Sequence, residues 1–196
     1  VTLYGPSHAE EVIKKYPTTL VAASLNLESS RKVQKTFSSK TIRVYTNSDI
    51  VGVELGGSLK NVIAIGVGMC DGVGFGDNTK SALITRGMIE IIRLGTAMGA
   101  RKETFSGLSG IGDLIATCLS KHSRNRFVGE SLGKGKKLED IIASMNMVAE
   151  GVETAKSIEK LSKIYNIDMK ISNAVCSILF ENKDQKSMVV NLMKRD

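Results

Sequence analysis

The sequence has no tryptophan and only two prolines, three cysteines and two histidines among 196 residues. Cys70, Cys118 and Cys176 are far apart and odd in number, and none belongs to a CxxC pair. With so few histidines beside them, neither a zinc site nor a disulfide framework is supported; buried free thiols in a reducing cytoplasm are the plain reading. The scarcity of proline, with 24% charged residues, argues against a disordered or linker-rich chain. No stretch reaches the roughly 18 uninterrupted apolar residues of a membrane span. The longest, Val62 to Cys70, already carries glycines. The opening VTLYGPSHAEEVIKKYP has no basic region followed by an apolar one, so no secretory signal is visible. No internal repeat or low-complexity segment is present. A cytoplasmic chain without membrane insertion is expected.

What is abundant is hydrophobic residues, at 42%, enough for one substantial core or one domain plus a fragment. The net charge of +7 is unevenly spread. Between 121 and 137, Lys121, Arg124, Arg126, Lys134, Lys136 and Lys137 face Glu130 alone. Such a patch suits an anion, either a small phosphate ligand or nucleic acid. Stacking on bases needs aromatics among the cations, and only Phe127 is there, so nucleic acid is the weaker reading.

Residues 1–46 alternate short elements. Ser7 is a credible N-cap for a helix beginning HAEEV, with Glu10 three residues on. TTLVAA at 18–23 and TIRVYT at 41–46 have strand character, with a helix at 27–37 between them. Such a βαβ-like piece is too small to cover both faces of a parallel sheet, and reads as the end of a larger α/β domain. From residue 47 the pattern is helical. Asn47-Ser48-Asp49 caps a run to about Gly72, and Asp77-Asn78-Thr79 a second that Gly99 closes. Further helices are expected near 110–120, 123–133, 138–145, 150–165, 170–181 and 184–194. The fold class is therefore mainly α: an α/β remnant at 1–46 and an all-helical domain at 47–196.

Glycine-rich stretches at 66–71 and 72–76 superficially resemble a dinucleotide fingerprint, but that loop must join a strand to a helix. Here the first lies inside a predicted helix and the second between two. GLSGIGD at 107–113 leads into an apolar helix, where glycines let N–H groups face an anion. Asp113 reads first as a cap there, with Thr117 four residues on along the same helical face. Ser123 is an N-cap candidate preceding Arg124 and Asn125. That helix start suits a phosphate, although a solvated basic face is an equal alternative. Lys60 lies mid-run in GGSLKN. A lysine there either finds a partner or a polar cavity, where proton transfer becomes possible, or emerges at an exposed edge.

Four segments, GPSHAEEV at 5–12, NSDIVGVELGGSLKNVIAIGVGMCDGVGFGDNTKSALITRG at 47–87, GLSGIGDLIATCLSKHSRNRFVGESLGKG at 107–135 and VAEGVETA at 148–155, together resemble the NAD(P)-dependent glycerol-3-phosphate dehydrogenases of bacterial type. Their order and spacing match across essentially the whole chain. The resemblance implies a nucleotide-binding Rossmann domain whose end is residues 1–46. It also implies a multihelical domain like the C-terminal one of 6-phosphogluconate dehydrogenase. The reaction implied is hydride transfer between sn-glycerol 3-phosphate and dihydroxyacetone phosphate, a step that feeds glycerophospholipid synthesis. It further implies Lys60 as proton donor and acceptor, assisted by Asn61, with Asp113 and Thr117 orienting it or the substrate hydroxyls. Ser123, Arg124 and Asn125 would hold the substrate phosphate, and Gly5 and Ser7 would lie near substrate. Ala9, Arg124, Val148 and Glu150 would approach the cofactor, NAD or NADP. The family's phosphate-binding loop and a further substrate-binding lysine have no counterpart in this sequence, so by itself it is expected neither to bind the dinucleotide normally nor to turn over. A homodimer is the partner considered beside the small-molecule substrate, and a related two-domain dehydrogenase of another hydroxy acid and a basic helical nucleic-acid-binding module are the alternatives to test.

Overall fold

The computed structural model describes residues 1–145, 147–181 and 183–193. It opens with a three-stranded sheet in the order β1-β2-β3. β1 (Thr2–Tyr4) is antiparallel to β2 (Thr18–Ala23), which is parallel to β3 (Ile42–Asn47). Helix α1 (Ala9–Ile13) connects the first two strands, and α2 (Leu27–Phe37) makes the crossover from β2 to β3. The expectation of two strands misses β1, because three residues are too few for a two-residue alternation to show. The cap of α1 also differs. His8, not Ser7, is the N-cap and makes no side-chain cap bond, while the Ser7 hydroxyl donates back to the Gly5 carbonyl at 3.0 Å. Gly5 has φ +147°, and a Cβ there would stand 2.8 Å from the Thr19 carbonyl oxygen, so this turn requires glycine.

The rest is helical: α3 (Ile50–Val73), α4 (Asp77–Ala97), α5 (Asp113–Leu119), α6 (Arg124–Gly133), α7 (Leu138–Ala143), α8 (Glu150–Tyr165), α9 (Lys170–Glu181) and α10 (Gln185–Met193). Position 194, the last of the helix expected at 184–194, lies outside the described residues. The helix expected at 138–145 is shorter by two. α4 is capped by Gly76 without a side-chain bond, and Asp77 is already helical. Met98 caps the other end of α4, followed by Gly99 at φ +94°.

α3 is the axis of the body. It is long and apolar enough to cross a membrane, but 67% of its apolar window is buried by the other helices. Its glycines explain how they come so close. A Cβ on Gly68 would overlap the Arg126 carbonyl, and one on Gly72 the Glu130 carbonyl; α6 answers with Gly129 and Gly133, which meet the backbone of α3. Glycines that would weaken an exposed helix are here the condition for backbone contact. Around this seam Val62, Ile65, Met69, Leu94, Phe105, Leu114, Ile158 and Met169 form the core.

Two buried carboxylates pin helix ends from a distance. Glu90 of α4 accepts from the N–H groups of Ile171 and Ser172 at 2.6 and 3.1 Å and from the Ser172 hydroxyl at 2.9 Å, capping α9. Burial pushes its carboxyl above the usual range, more than these donors bring it down. Asp49 caps α3 through Gly52 N–H at 2.9 Å and binds the Arg101 N–H at 2.8 Å and the Thr104 hydroxyl at 2.6 Å. Burial raises its carboxyl, but Thr104, Gly52 and Arg101 together hold it below the ordinary value. A carboxyl lowered by folding contributes stability that is complete above its unfolded pKa and is lost as pH falls through the folded one. Asp49→Asn is therefore expected to cost about 2 kcal/mol at neutral pH. That deficit should shrink as pH drops below about 4, the unfolded carboxyl value. Urea unfolding at pH 7 and pH 3 checks this, and a pH-independent difference would refute the ionised role.

Candidate functional site

Lys60 lies midway along α3 and points at α5. Its Nζ donates to Asp113 Oδ1 at 2.8 Å and to Thr117 Oγ1 at 2.9 Å, with only 14% of the side chain exposed. Of the two readings open to this lysine, the structure thus selects the paired one. Asp113 is 3% exposed, and its Oδ2 is buried without a partner among the described residues. Thr117 also donates to Asp113 Oδ1 at 3.3 Å. The helical spacing of four put these two groups under one ammonium.

Asp113 is not the cap its position suggested. A 3₁₀ turn (Lys102–Ser106) and a π turn (Leu108–Gly112) precede α5, and Gly112 is already helical at φ −61° and ψ −50°. No open cap position exists at 113, which frees the carboxylate for Lys60. Nor do the glycines of GLSGIGD offer N–H groups to an anion. Gly110 and Gly112 both donate to the Gly107 carbonyl, and a Cβ on Gly110 would collide with the Phe105 carbonyl.

A second network runs beside the first. Asn125 Nδ2 donates to Asn61 Oδ1 at 2.9 Å, and Asn125 Oδ1 accepts the Gly151 N–H at 2.9 Å. Asn61 Nδ2 reaches Glu150 Oε2 and the Gly57 carbonyl, each at 3.4 Å. These amides lock α3, α6 and the start of α8 together, and both are buried. Ser123 caps α6 by accepting the Arg126 N–H at 3.2 Å. The next N–H groups, those of Arg124 and Asn125, have no acceptor within the helix, as at any helix start. Arg124 is exposed, and its Nη1 donates to the Val148 carbonyl at 2.9 Å. Val148 is itself 70% exposed.

The 5–9 segment comes to the same side. His8 Nε2 lies 3.4 Å from the Ala116 carbonyl on α5, and its ring centroid is 6.3 Å from that of His122, just before Ser123. Gly5 is buried, while Ser7 and Ala9 are exposed. Sequence reasoning missed both histidines. The signal was their placement, one inside GPSHAEEV and the other beside Ser123.

The basic patch does not survive as one surface. Arg126 binds Asp71 through Nε at 2.8 Å and Nη2 at 2.7 Å, Lys80 shares that carboxylate at 2.9 Å, and Lys134 pairs with Glu130. Burial raises the Asp71 carboxyl, and Lys80 and Arg126 overcome this and hold it below the usual range. The nucleic-acid reading therefore loses its motive. Cys118 is buried near the Lys60 pair, and burial pushes its thiol up to about 12, which removes it as a nucleophile. Cys70 is likewise pushed up, mainly by burial, to about 11. Among the described residues, no three His, Cys, Asp or Glu side chains gather as a metal would need. A cleft of about 500 Å³ lies between α8 and α9, lined by Glu159, Lys163 and Cys176, away from Lys60. Volume does not mark the chemistry here; converging ionised and amide groups do.

A dinucleotide can be fitted to these residues only in part. The first βα turn of a Rossmann domain, which cradles the phosphates, has no counterpart here, and in the later turn from β2 to α2 Asn26 Oδ1 already occupies the Glu28 and Ser29 N–H groups. Beyond that turn, Arg124 is joined to the Val148 carbonyl, and Glu150 follows two residues on at the start of α8.

Comparison with known proteins gives this geometry a family. Residues 49–190 match the family described as NAD-dependent glycerol-3-phosphate dehydrogenase C-terminus. The chain is 58% identical over 194 residues to the glycerol-3-phosphate dehydrogenase [NAD(P)+] of Prosthecochloris aestuarii, covering 99% of this chain and 58% of that protein. It is 56% identical over 195 residues to the Oceanobacillus iheyensis protein of the same name, covering 100% of this chain and 57% of the other. The crystal structure of glycerol-3-phosphate dehydrogenase from Coxiella burnetii superposes with a TM-score of 0.96 at 38% identity, over 98% of this chain and 59% of that one. The chain thus spans less than two thirds of the length of these relatives. Over the part it shares with them, it belongs to the NAD-dependent glycerol-3-phosphate dehydrogenase family.

Proposed function

We propose that this chain forms the helical part of a cytoplasmic NAD(P)-dependent glycerol-3-phosphate dehydrogenase, where it binds the phosphorylated substrate and handles the proton. The observation that carries the reading is Lys60. An ammonium has three hydrogens, and Asp113 and Thr117 take two of them, leaving one to aim outward. A bound dihydronicotinamide supplies the hydride. As the carbonyl oxygen of dihydroxyacetone phosphate gains electron density, Lys60 donates its remaining hydrogen to that oxygen; in the oxidation of glycerol 3-phosphate it takes the proton back. Asp113 and Thr117 fix the amine against rotation, and the unpartnered Asp113 Oδ2 can accept from a substrate hydroxyl once ligand reorders the pocket.

The phosphate belongs at the start of α6, where Arg124 offers a guanidinium and the first N–H groups point out of the helix. For this, Arg124 exchanges the Val148 carbonyl for the ligand. Asn125 contributes by bracing Asn61 and Gly151, and Ser123 by capping the helix. Gly5 and Ser7 border the substrate. Ala9, Val148 and Glu150 border the nucleotide. The three buried thiols suit the reducing compartment assigned.

Joined behind the nucleotide-binding portion of the Prosthecochloris aestuarii relative, the chain is expected to oxidise NAD(P)H with dihydroxyacetone phosphate and to neglect dihydroxyacetone. In that hybrid Arg124→Gln should raise KM for the phosphorylated substrate roughly 10–100-fold, the loss of one charge-assisted pair. A folded hybrid with no turnover counts against the assignment. Equal use of the unphosphorylated ketone points to a dehydrogenase of another hydroxy compound.

A further inference from the structure

Two successive glycines stand about one turn before Lys60 on α3, and each receives a different segment of the site. A Cβ on Gly56 would stand 2.5 Å from the Ser109 carbonyl oxygen, in the turn that leads to Asp113. A Cβ on Gly57 would overlap the ring of Tyr4, the last residue of β1. Tyr4 also packs on a small core of Val21, Ala23 and Val53, separate from the main one. Its ring thus lies against bare helix backbone, and positions 57 and 60 are neighbours on the surface of α3. From Tyr4 the chain passes directly into the Gly5 turn, which the Ser7 hydroxyl closes. His8 then lies 3.4 Å from the carbonyl of Ala116, the residue before Thr117. Residues 4–8 therefore run from α3 to α5, the two helices that supply Lys60 and its two partners. The His8 contact is single and long for a hydrogen bond, whereas the Tyr4 ring fills a notch that any side chain at 57 would occupy.

We propose that Tyr4 and Gly57 are a positioning pair for the proton transfer. The ring, seated where α3 lacks a side chain, sets how far the Gly5–Ser7 turn stands from Lys60. This rests on the reading of that turn as a border of the substrate, and adds what fixes its place. A substrate resting on the turn presents its carbonyl oxygen to the Lys60 hydrogen only at that spacing. A misplacement of about 1 Å in such a geometry can cost about 100-fold in rate. Tyr4 acts through the turn that follows it, and not through its hydroxyl.

In the hybrid enzyme, Gly57→Ala forces the ring off its seat and should lower kcat by roughly tenfold or more. KM for dihydroxyacetone phosphate should stay within about fivefold, because Arg124 is untouched. Tyr4→Ala should lower kcat roughly fivefold, and in its background Gly57→Ala should cost less than about twofold more, since the obstacle has gone. Tyr4→Phe keeps the ring and should stay within about twofold of the parent. Urea unfolding is measured on every variant. Ile178→Ala, which opens a cavity on the buried side of α9, is the control for lost stability: a lower midpoint with kcat kept within about twofold. Tyr4→Ala adds no bulk, so it carries the test should Gly57→Ala not fold. The pairing is overturned if Tyr4→Ala keeps the parent kcat, if the two single losses multiply in the double variant, if Tyr4→Phe falls as far as Tyr4→Ala, or if Ile178→Ala loses kcat equally. An inactive parent overturns the dehydrogenase reading itself; an active parent with any of those outcomes overturns the pairing alone.

Discussion

Lys60→Arg, introduced into the hybrid enzyme, is expected to lower kcat roughly a thousandfold, with KM for dihydroxyacetone phosphate changed less than tenfold, because a proton donor contributes about 10²–10⁴ in rate. Arginine is the informative replacement. It keeps a positive charge opposite Asp113, so the buried carboxylate is not stranded. Removing the cation altogether, as in Lys60→Ala, would leave that charge uncompensated and is expected to cost about 3–5 kcal/mol of stability, which would mix unfolding with inactivity. Guanidinium does not give up its proton in proteins, so the variant can hold the oxygen but cannot deliver hydrogen to it. Thr117→Val tests the geometry separately. It deletes one of the two bonds that aim the amine, and should lower kcat about tenfold while leaving Asp113 paired. Steady-state rates measured beside circular dichroism on each variant decide the matter. If Lys60→Arg retained more than a tenth of the parent kcat, proton delivery would have to come from another group.

The sequence carried the broad outline of this arrangement, and the reason differs from element to element. α3 was readable because 24 residues of Val, Ile, Leu and glycine follow an Asp that can cap them. The same length made Lys60 conspicuous as the one cation in that run. Its partner was harder to read. Asp113 has the position of a cap, and only the backbone before it, kinked at Gly110 (φ −105°, ψ −105°) and already helical at Gly112, shows that the helix has begun earlier. A five-residue π turn has no hydrophobic period of its own, so nothing in composition announces it. Glu90 is a similar case. It stands among the mixed polar and apolar residues of α4, and the groups that hold it lie at the start of α9, 81 residues away. The basic segment misled in the opposite direction. Six cations suggested one electropositive face, but Arg126 turns inward to Asp71, Lys134 turns sideways to Glu130, and Arg124 lies apart on the Val148 carbonyl. Side-chain direction, which sequence spacing fixes only within a helix, decided each of these.

Gly129→Val is expected to destabilise the chain by more than about 4 kcal/mol and to leave little folded protein, among the largest effects a single residue can have. Gly129 is buried on α6, and an added Cβ would overlap the carbonyl of Ile65 and crowd the N–H of Met69 on α3. Both obstacles are backbone, held within a helix whose own hydrogen bonds would have to break before it could move aside. A flexible side chain could swing away at small cost; a helical carbonyl cannot. Helix propensity pulls the other way, since replacing glycine normally helps a helix, by up to about 1 kcal/mol for alanine, so the sign of the result separates the two effects. Gly76→Ala is the matching control. Nothing lies within 4 Å of a Cβ there, and φ is −81°, so that change should be neutral to within about 0.5 kcal/mol. Urea unfolding followed by far-ultraviolet circular dichroism reads both variants. If Gly129→Val unfolded at the parent midpoint, α3 and α6 would not be in backbone contact. The amide bridge from Asn61 to Asn125, which needs the two helices that close, would then have no structural basis.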